Sequence, residues 1–254
     1  MIENLNDIGK KQVKCVQAAI EPDLVYPLLR GRDVSRWRAQ PSAYIVVAQQ
    51  PGKASVGFDE SQLKVKYPHT HAYLKEFEDV LRQRADYRKY FNPQKDPFYS
   101  MYNVGSYTFA PYKVVWRYIA GDFISAVPVG EVRTAIPDSK LVLVPCTSMS
   151  EAHYVCATLN SLPARLTVRS YTVGTQISTH VLEHVAIPRF NPAKSLHRSL
   201  SARSQRAHQL AALGKEAQAE LARVEEEIDR LAAELWGITQ VELEEIGRAL
   251  AELD

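Results

Sequence analysis

AHQLAALGKEAQAELARVEEEIDRLAAELWG, residues 207–237, carries apolar residues that step by alternating threes and fours. Ala217, Leu221, Val224, Ile228, Leu231 and Leu235 form the seam, and Gly214, Leu210 and Ala207 extend it backward. Such a period is a heptad seam. It predicts one long helix over about 198–236, roughly 50 Å at 1.5 Å per residue. The N-terminal half of the seam is rich in small residues, which permits close approach of a partner helix. Gly237 ends the helix, and Thr239 with Glu242 forms a capping box that starts a short second helix over about 240–253. Two readings stay open here: a helix packed on its own domain, or a coiled-coil arm pairing with another domain or a second copy.

The composition changes at the edge of this segment. Residues 195–254 hold seven Lys and Arg against twelve Asp and Glu, while 1–194 hold 24 against 17. A basic body with an acidic tail predicts one part facing a polyanion and another facing protein. The whole chain of 254 residues is 46% hydrophobic and 24% charged, an ordinary globular balance. No apolar run approaches the roughly 20 residues that span a bilayer. The polar start MIENLNDIGKKQVK lacks the apolar stretch of a signal peptide. Cys15, Cys146 and Cys156 are odd in number and lack metal-ligand spacing, so they read as reduced packing residues of a cytoplasmic protein.

Behind a lead-in over 1–23, the body over 24–194 interleaves strand-like and helix-like runs. AYIVVAQ (43–49), SYTFAPYKVVWRYI (106–119), FISAVPV (123–129), KLVLVPC (140–146) and HVAIPRF (184–190) read as strands. HAYLKEFEDVLRQRADYRKYF (71–91) has helical spacing and a basic C-terminal half. SEAHYVCATLNSLPA (150–164) reads as a helix with Ser150 as N-cap and Pro163 as its stop. The expected fold is therefore α/β or mixed α+β with a twisted sheet, followed by the helical arm over 195–254.

The candidate contact residues are basic and polar. VYPLLRGRDVSRWR (25–38) concentrates Arg30, Arg32, Arg36 and Arg38 around Gly31. A guanidinium is a planar fork that fits phosphate oxygens or the O6/N7 edge of guanine. Asp33 reads as a partner for Arg30 or Arg36 that holds the loop, and Trp37 as a core anchor. On a strand, Lys113 and Arg117 share one face with Val115 between them, a basic stripe or else a structural surface. The loop RSYTVGTQIST (169–179) offers Arg169, Thr175, Gln176 and Ser178, residue types that reach base edges.

Three motifs of catalytic type are set aside. HVLEH (180–184) matches an inverted zinc-peptidase pattern, but Pro188 closes off the long buried helix that such a site needs. QQPGKAS (49–55) lacks the first phosphate-loop glycine and reads as a turn. DPFY (96–99) resembles the amino-methyltransferase tetrapeptide, but no glycine-rich cofactor loop precedes it, so it reads as a turn entering a strand YSMYNV.

LVYPLLRGRDVSRW, YPHTHAYLKEFEDVLRQR, FYSMYNVGSYTFAPYKVVWRY, EAHYVCATLNSLPARL, TQISTHVLEHVAIPRFN and LAAELWGITQVELEEI occur in that order. The ordered set resembles the TaqI-like C-terminal specificity domain, the target-recognition region of type II restriction-modification enzymes and adenine-N6 DNA methyltransferases, over roughly residues 24–250. The resemblance implies a double-stranded DNA recognition domain followed by helices that dock on a methyltransferase or nuclease partner. It places S-adenosylmethionine in that partner, with no cofactor and no catalytic residue in this chain. Two other functions stand beside it. A protein-interaction module, as a homo-oligomer or with another protein, would use the heptad helix as its surface, and a zinc hydrolase would use HVLEH.

Overall fold

The computed structural model describes residues 1–6, 11–49, 56–128, 133–172 and 174–253. In chain order the strands are β1 Ile2–Glu3, β2 Gln17–Ala18, β3 Val25–Leu29, β4 Val34–Ser35, β5 Arg38–Ala39, β6 Ala43–Val46, β7 Tyr112–Arg117, β8 Ser125–Ala126, β9 Ile136–Pro137 and β10 Leu141–Cys146. The helices are α1 Glu60–Lys66, α2 Pro68–Lys75, α3 Glu78–Arg82, α4 Ala85–Tyr90, α5 Met149–Asn160, α6 Leu162–Tyr171, α7 Thr179–Leu182, α8 Ser195–Leu213, α9 Gln218–Trp236 and α10 Gln240–Leu253. The chain is mixed α and β with small sheets, and none of the described helices is long and apolar enough to cross a membrane. Contacts divide it into two compact units, residues 1–26 with 44–109, and 27–43 with 110–254.

The first unit is mainly helical. Leu24, Leu63, Leu74, Tyr87, Phe91, Phe98 and Tyr99 form its core. Asp59 caps α1 by accepting the Ser61 N–H at 2.9 Å. Glu21 caps α2, accepting the N–H groups of His69 and Thr70 at 3.0 and 2.7 Å. The single helix expected over 71–91 is instead three short ones. Phe77 (φ −115°, ψ 9°) and Arg84 (φ −59°, ψ 137°) leave helical geometry. The Arg84 side chain compensates by donating to the carbonyls of Leu81, Phe98 and Ser100 at 2.8–2.9 Å. YSMYNV, expected as a strand, forms turns.

The second unit is built around β7. It pairs antiparallel with β10, Arg117 opposite Leu141, and with β8, Val115 opposite Ala126. Alternation sends Val114 and Trp116 into the larger core with Tyr154, Ala157, Leu200 and Ile228. Val115 enters a smaller core with Leu29, Val34, Ala39, Ala135 and Leu141. β3 runs parallel to β9, with Leu28 opposite Ile136. Ser148, not Ser150, caps α5 by accepting the Glu151 N–H at 3.1 Å. Pro163 does not stop a helix but opens α6, where its missing N–H is harmless. HVAIPRF forms no strand.

The helical run expected over about 198–236 is present from Ser195 to Trp236, but as two helices rather than one. At Gly214 (φ 76°, ψ −142°) it turns back on itself through a 3-10 turn, Gly214–Ala217. Arg203 pairs with Glu227 and Arg206 with Glu220 across the resulting hairpin of α8 and α9. In a straight helix Arg203 and Glu227 would stand roughly 36 Å apart. Ala207, Leu210, Ala217, Leu221, Val224 and Ile228 are buried in the core of their own unit. These seam residues therefore pack on their own chain, the first of the two readings. Thr239 and Glu242 form the expected capping box of α10, with Thr239 N–H on the Glu242 carboxylate at 2.7 Å.

Candidate nucleic-acid interface

The arginine-rich segment folds as a short 3-10 turn, Gly31–Asp33, followed by the β4–β5 hairpin. Asp33 holds the turn as expected, accepting the Arg30 N–H at 2.8 Å and lying 3.5 Å from its guanidinium. Arg30 also donates to Ser42 at 2.6 Å. The hairpin turn consists of Arg36 and Trp37, with Ser35 paired to Arg38. Trp37 has φ 61°, a left-handed conformation that a bulky residue adopts only when its surroundings impose it.

Those surroundings are α9 and the end of α5. Glu225 accepts the Trp37 indole N–H at 2.6 Å and lies 2.8 Å from Nε of Arg36. Arg36 donates to the Asn160 carbonyl at 3.0 Å and lies over the Trp37 ring. Burial pushes its guanidinium below the usual value, against the pull of Glu225. One turn along α9, Asp229 accepts the Leu162 N–H at 2.8 Å and so caps α6. Burial raises the Asp229 carboxyl to about 6, against that bond and the charge of Arg36. Trp37 is the core anchor expected of it, and Arg36 is a structural clamp.

The remaining candidates separate into held and presented groups. Lys113 is corrected: it is 2% exposed, and its Nζ donates to the Ala135 carbonyl at 2.8 Å. Burial lowers its ammonium to about 8. The expected stripe thus has only Arg117 near the surface, half-buried at the end of β7. Arg169 belongs to α6, and it donates to the carbonyls of Gly121 at 3.3 Å and Leu253 at 2.9 Å. Ser178 precedes α7 without a capping bond. Arg32, Arg38, Thr175 and Gln176 are exposed. Val173 of the expected loop, like Gln50–Ser55 of QQPGKAS, lies outside the described residues.

Several of the presented residues share one edge. The carbonyl of Thr175 accepts the Ala120 N–H at 3.0 Å, so the loop extends the end of β7. Gln176 accepts from the Tyr118 hydroxyl at 3.2 Å. The Tyr118 N–H donates to the Lys140 carbonyl at 2.9 Å. A side chain at Gly31 would meet Lys140 Cβ at 3.9 Å. The edge thus runs from Gln176 through Tyr118 to exposed Lys140 and the turn bearing Arg32. Lys140 was missed from sequence; its signal is a lone lysine in the turn Asp138-Ser139-Lys140 between two strands.

HVLEH does not form a metal site. His180 and Glu183 are an exposed pair on a single helical turn, and His184 stacks on Tyr171 with ring centroids 3.7 Å apart. Among the described residues no group of His, Cys, Asp and Glu is placed to hold a metal. Cys146 and Cys156 are buried and free, while Cys15 is exposed. In comparison with known proteins, the chain matches no protein-family model and no curated protein.

Proposed function

We propose that this chain binds double-stranded DNA as the target-recognition part of a restriction-modification or adenine-N6 DNA methyltransferase system. In this reading the second unit is the recognition body with its twisted sheet. Catalysis and S-adenosylmethionine belong to a partner domain or subunit that engages the C-terminal helices. The ordered resemblance to the TaqI-like specificity domain supports the reading from the sequence side. The observation that carries it is the division of labour within one segment: Arg30 and Arg36 brace the fold, while Arg32 and Arg38 stand exposed. Lys140 and Gln176 share the neighbouring edge. Cations so presented neutralise phosphates, and an amide so presented reads an adenine edge.

The test is a duplex titration at several salt concentrations. Log K falls with log salt, and the R32A/R38A variant loses about 1.8 from the slope because two phosphate contacts are gone. A salt-independent K, or an unchanged slope in the variant, sinks the reading. The alternative of a coiled-coil interaction module loses its main support, because its seam is buried in the same chain.

A further inference from the structure

We propose that Tyr90 and Tyr102 of the first unit form a stacking platform for an unpaired nucleic-acid base, with Lys89 beside it for the adjoining phosphate. Tyr90 ends α4 and Tyr102 lies in the turn that follows Met101. Their rings are parallel within 10°, with centroids 3.7 Å apart, yet they are 43% and 48% exposed. Two apolar rings paired at the surface bury little of themselves in the core. Among the described residues Tyr90 is the one ring stacked on Tyr102, which keeps 48% of its surface exposed. Lys89 Nζ sits 4.9 Å from the centroid of the Tyr90 ring.

The turn after Tyr102 is pinned by side-chain bonds. Asn103 adopts φ 60°, and the Tyr107 hydroxyl lies 2.7 Å from its carbonyl and 2.6 Å from Oδ1. A Cβ at Gly105 would come within 2.7 Å of the Tyr107 ring, so that ring packs directly over the glycine. Arg88, Lys89 and Lys95 are exposed within the same stretch and form no ion pair among the described residues. Charge and shape agree on the occupant. Parallel rings at this spacing are continued by another flat ring, and Lys89 beside them favours an anion joined to it. A single-stranded nucleic acid supplies both in every residue, whereas an acidic peptide does not. Base–aromatic stacking tolerates any base, so this platform serves a displaced or unpaired strand rather than sequence readout.

The test uses the full chain and a short labelled single-stranded oligonucleotide, followed by fluorescence anisotropy. Y90A and Y102A each weaken binding about five- to a hundredfold, while Y102F retains it. K89A reduces the dependence of log K on log salt by about 0.7. Both tyrosines are exposed, and an unchanged urea midpoint shows that each variant folds. Alanine variants within about twofold of the parent, or Y102F as damaging as Y102A, overturn the platform. So does an acidic tyrosine-containing peptide binding this surface while the oligonucleotide does not. R32A/R38A lowers duplex affinity without touching single-strand binding, so the two proposals fail separately.

Discussion

Arg36 and Arg32 stand four residues apart with identical chemistry and opposite fates. Arg36 shares the Glu225 carboxylate with the Trp37 indole, whereas Arg32 faces solvent. E225A leaves a half-buried guanidinium and a left-handed tryptophan without their acceptor. It is expected to cost about 2–4 kcal/mol in urea denaturation, with E225Q in between because an amide oxygen still accepts the indole N–H. Lys113 responds to pH. Its folded value of about 8 lies below the ordinary lysine value, so between the two the unfolded chain binds a proton that the native chain does not. Stability contributed by this group therefore rises as pH climbs from about 8 toward 10.5, and K113M abolishes that rise in urea midpoints taken across the range. The alternation that put Lys113 on a strand face was legible in the sequence. That the face was an interior one was not, because a second core over Val115 is assembled from segments more than 70 residues apart.

Elements were legible where a local pattern and a local signal agreed. β7 and β10 appear within the strands expected of them, and the capping box of α10 lies where Thr239 and Glu242 put it. The heptad seam shows the limit of periodicity. An apolar stripe says which face is buried and not what buries it. Gly214 fits the stripe as a small residue, yet it also permits a backbone near φ 76°, ψ −142° that other residues avoid. G214A is expected to destabilise the protein by about 1–3 kcal/mol in urea denaturation while far-UV dichroism stays near parental. An equal stability for G214A would mean that the turn is not held by this residue. The helix expected over 71–91 failed for a related reason. Arg84 satisfies carbonyls of Leu81, Phe98 and Ser100, a long-range reward for breaking a locally favourable helix.

At the scale of the molecule, burial sets the response to acid. His153 donates to or accepts from Ser204 at 3.0 Å, and its ring meets that of His208 edge-on. Burial, with the nearby His208, lowers His153 to about 3, and burial lowers His208 to about 4 against the Ser204 carbonyl. Below about pH 6.5 the unfolded chain takes up protons there that the native chain refuses, so these groups cost stability as pH falls. Asp229 acts in the opposite sense. Raised to about 6, it binds a proton in the native state between about pH 6 and 4, when the unfolded carboxyl does not, and so adds stability on acidification. D229N removes this compensation. Its loss of stability between pH 6 and 4.5 is expected to be steeper than the parent's by about 1.4 kcal/mol per pH unit, measured from urea midpoints. A slope no steeper than the parent's would refute the opposing role of Asp229.

By itself the sequence determined the mixed α and β character, the two main strands, a helical run over about 198–236 and a segment crowded with arginines. These follow from short-range periodicity and from caps and turns whose partners lie within a few residues. Tertiary structure decided which arginines are braces and which are presented, where the heptad stripe is buried, and that Tyr90 and Tyr102 share one stack. Those outcomes depend on contacts such as Trp37 with Glu225, 188 residues apart, and no local pattern encodes which distant carboxylate a side chain will meet.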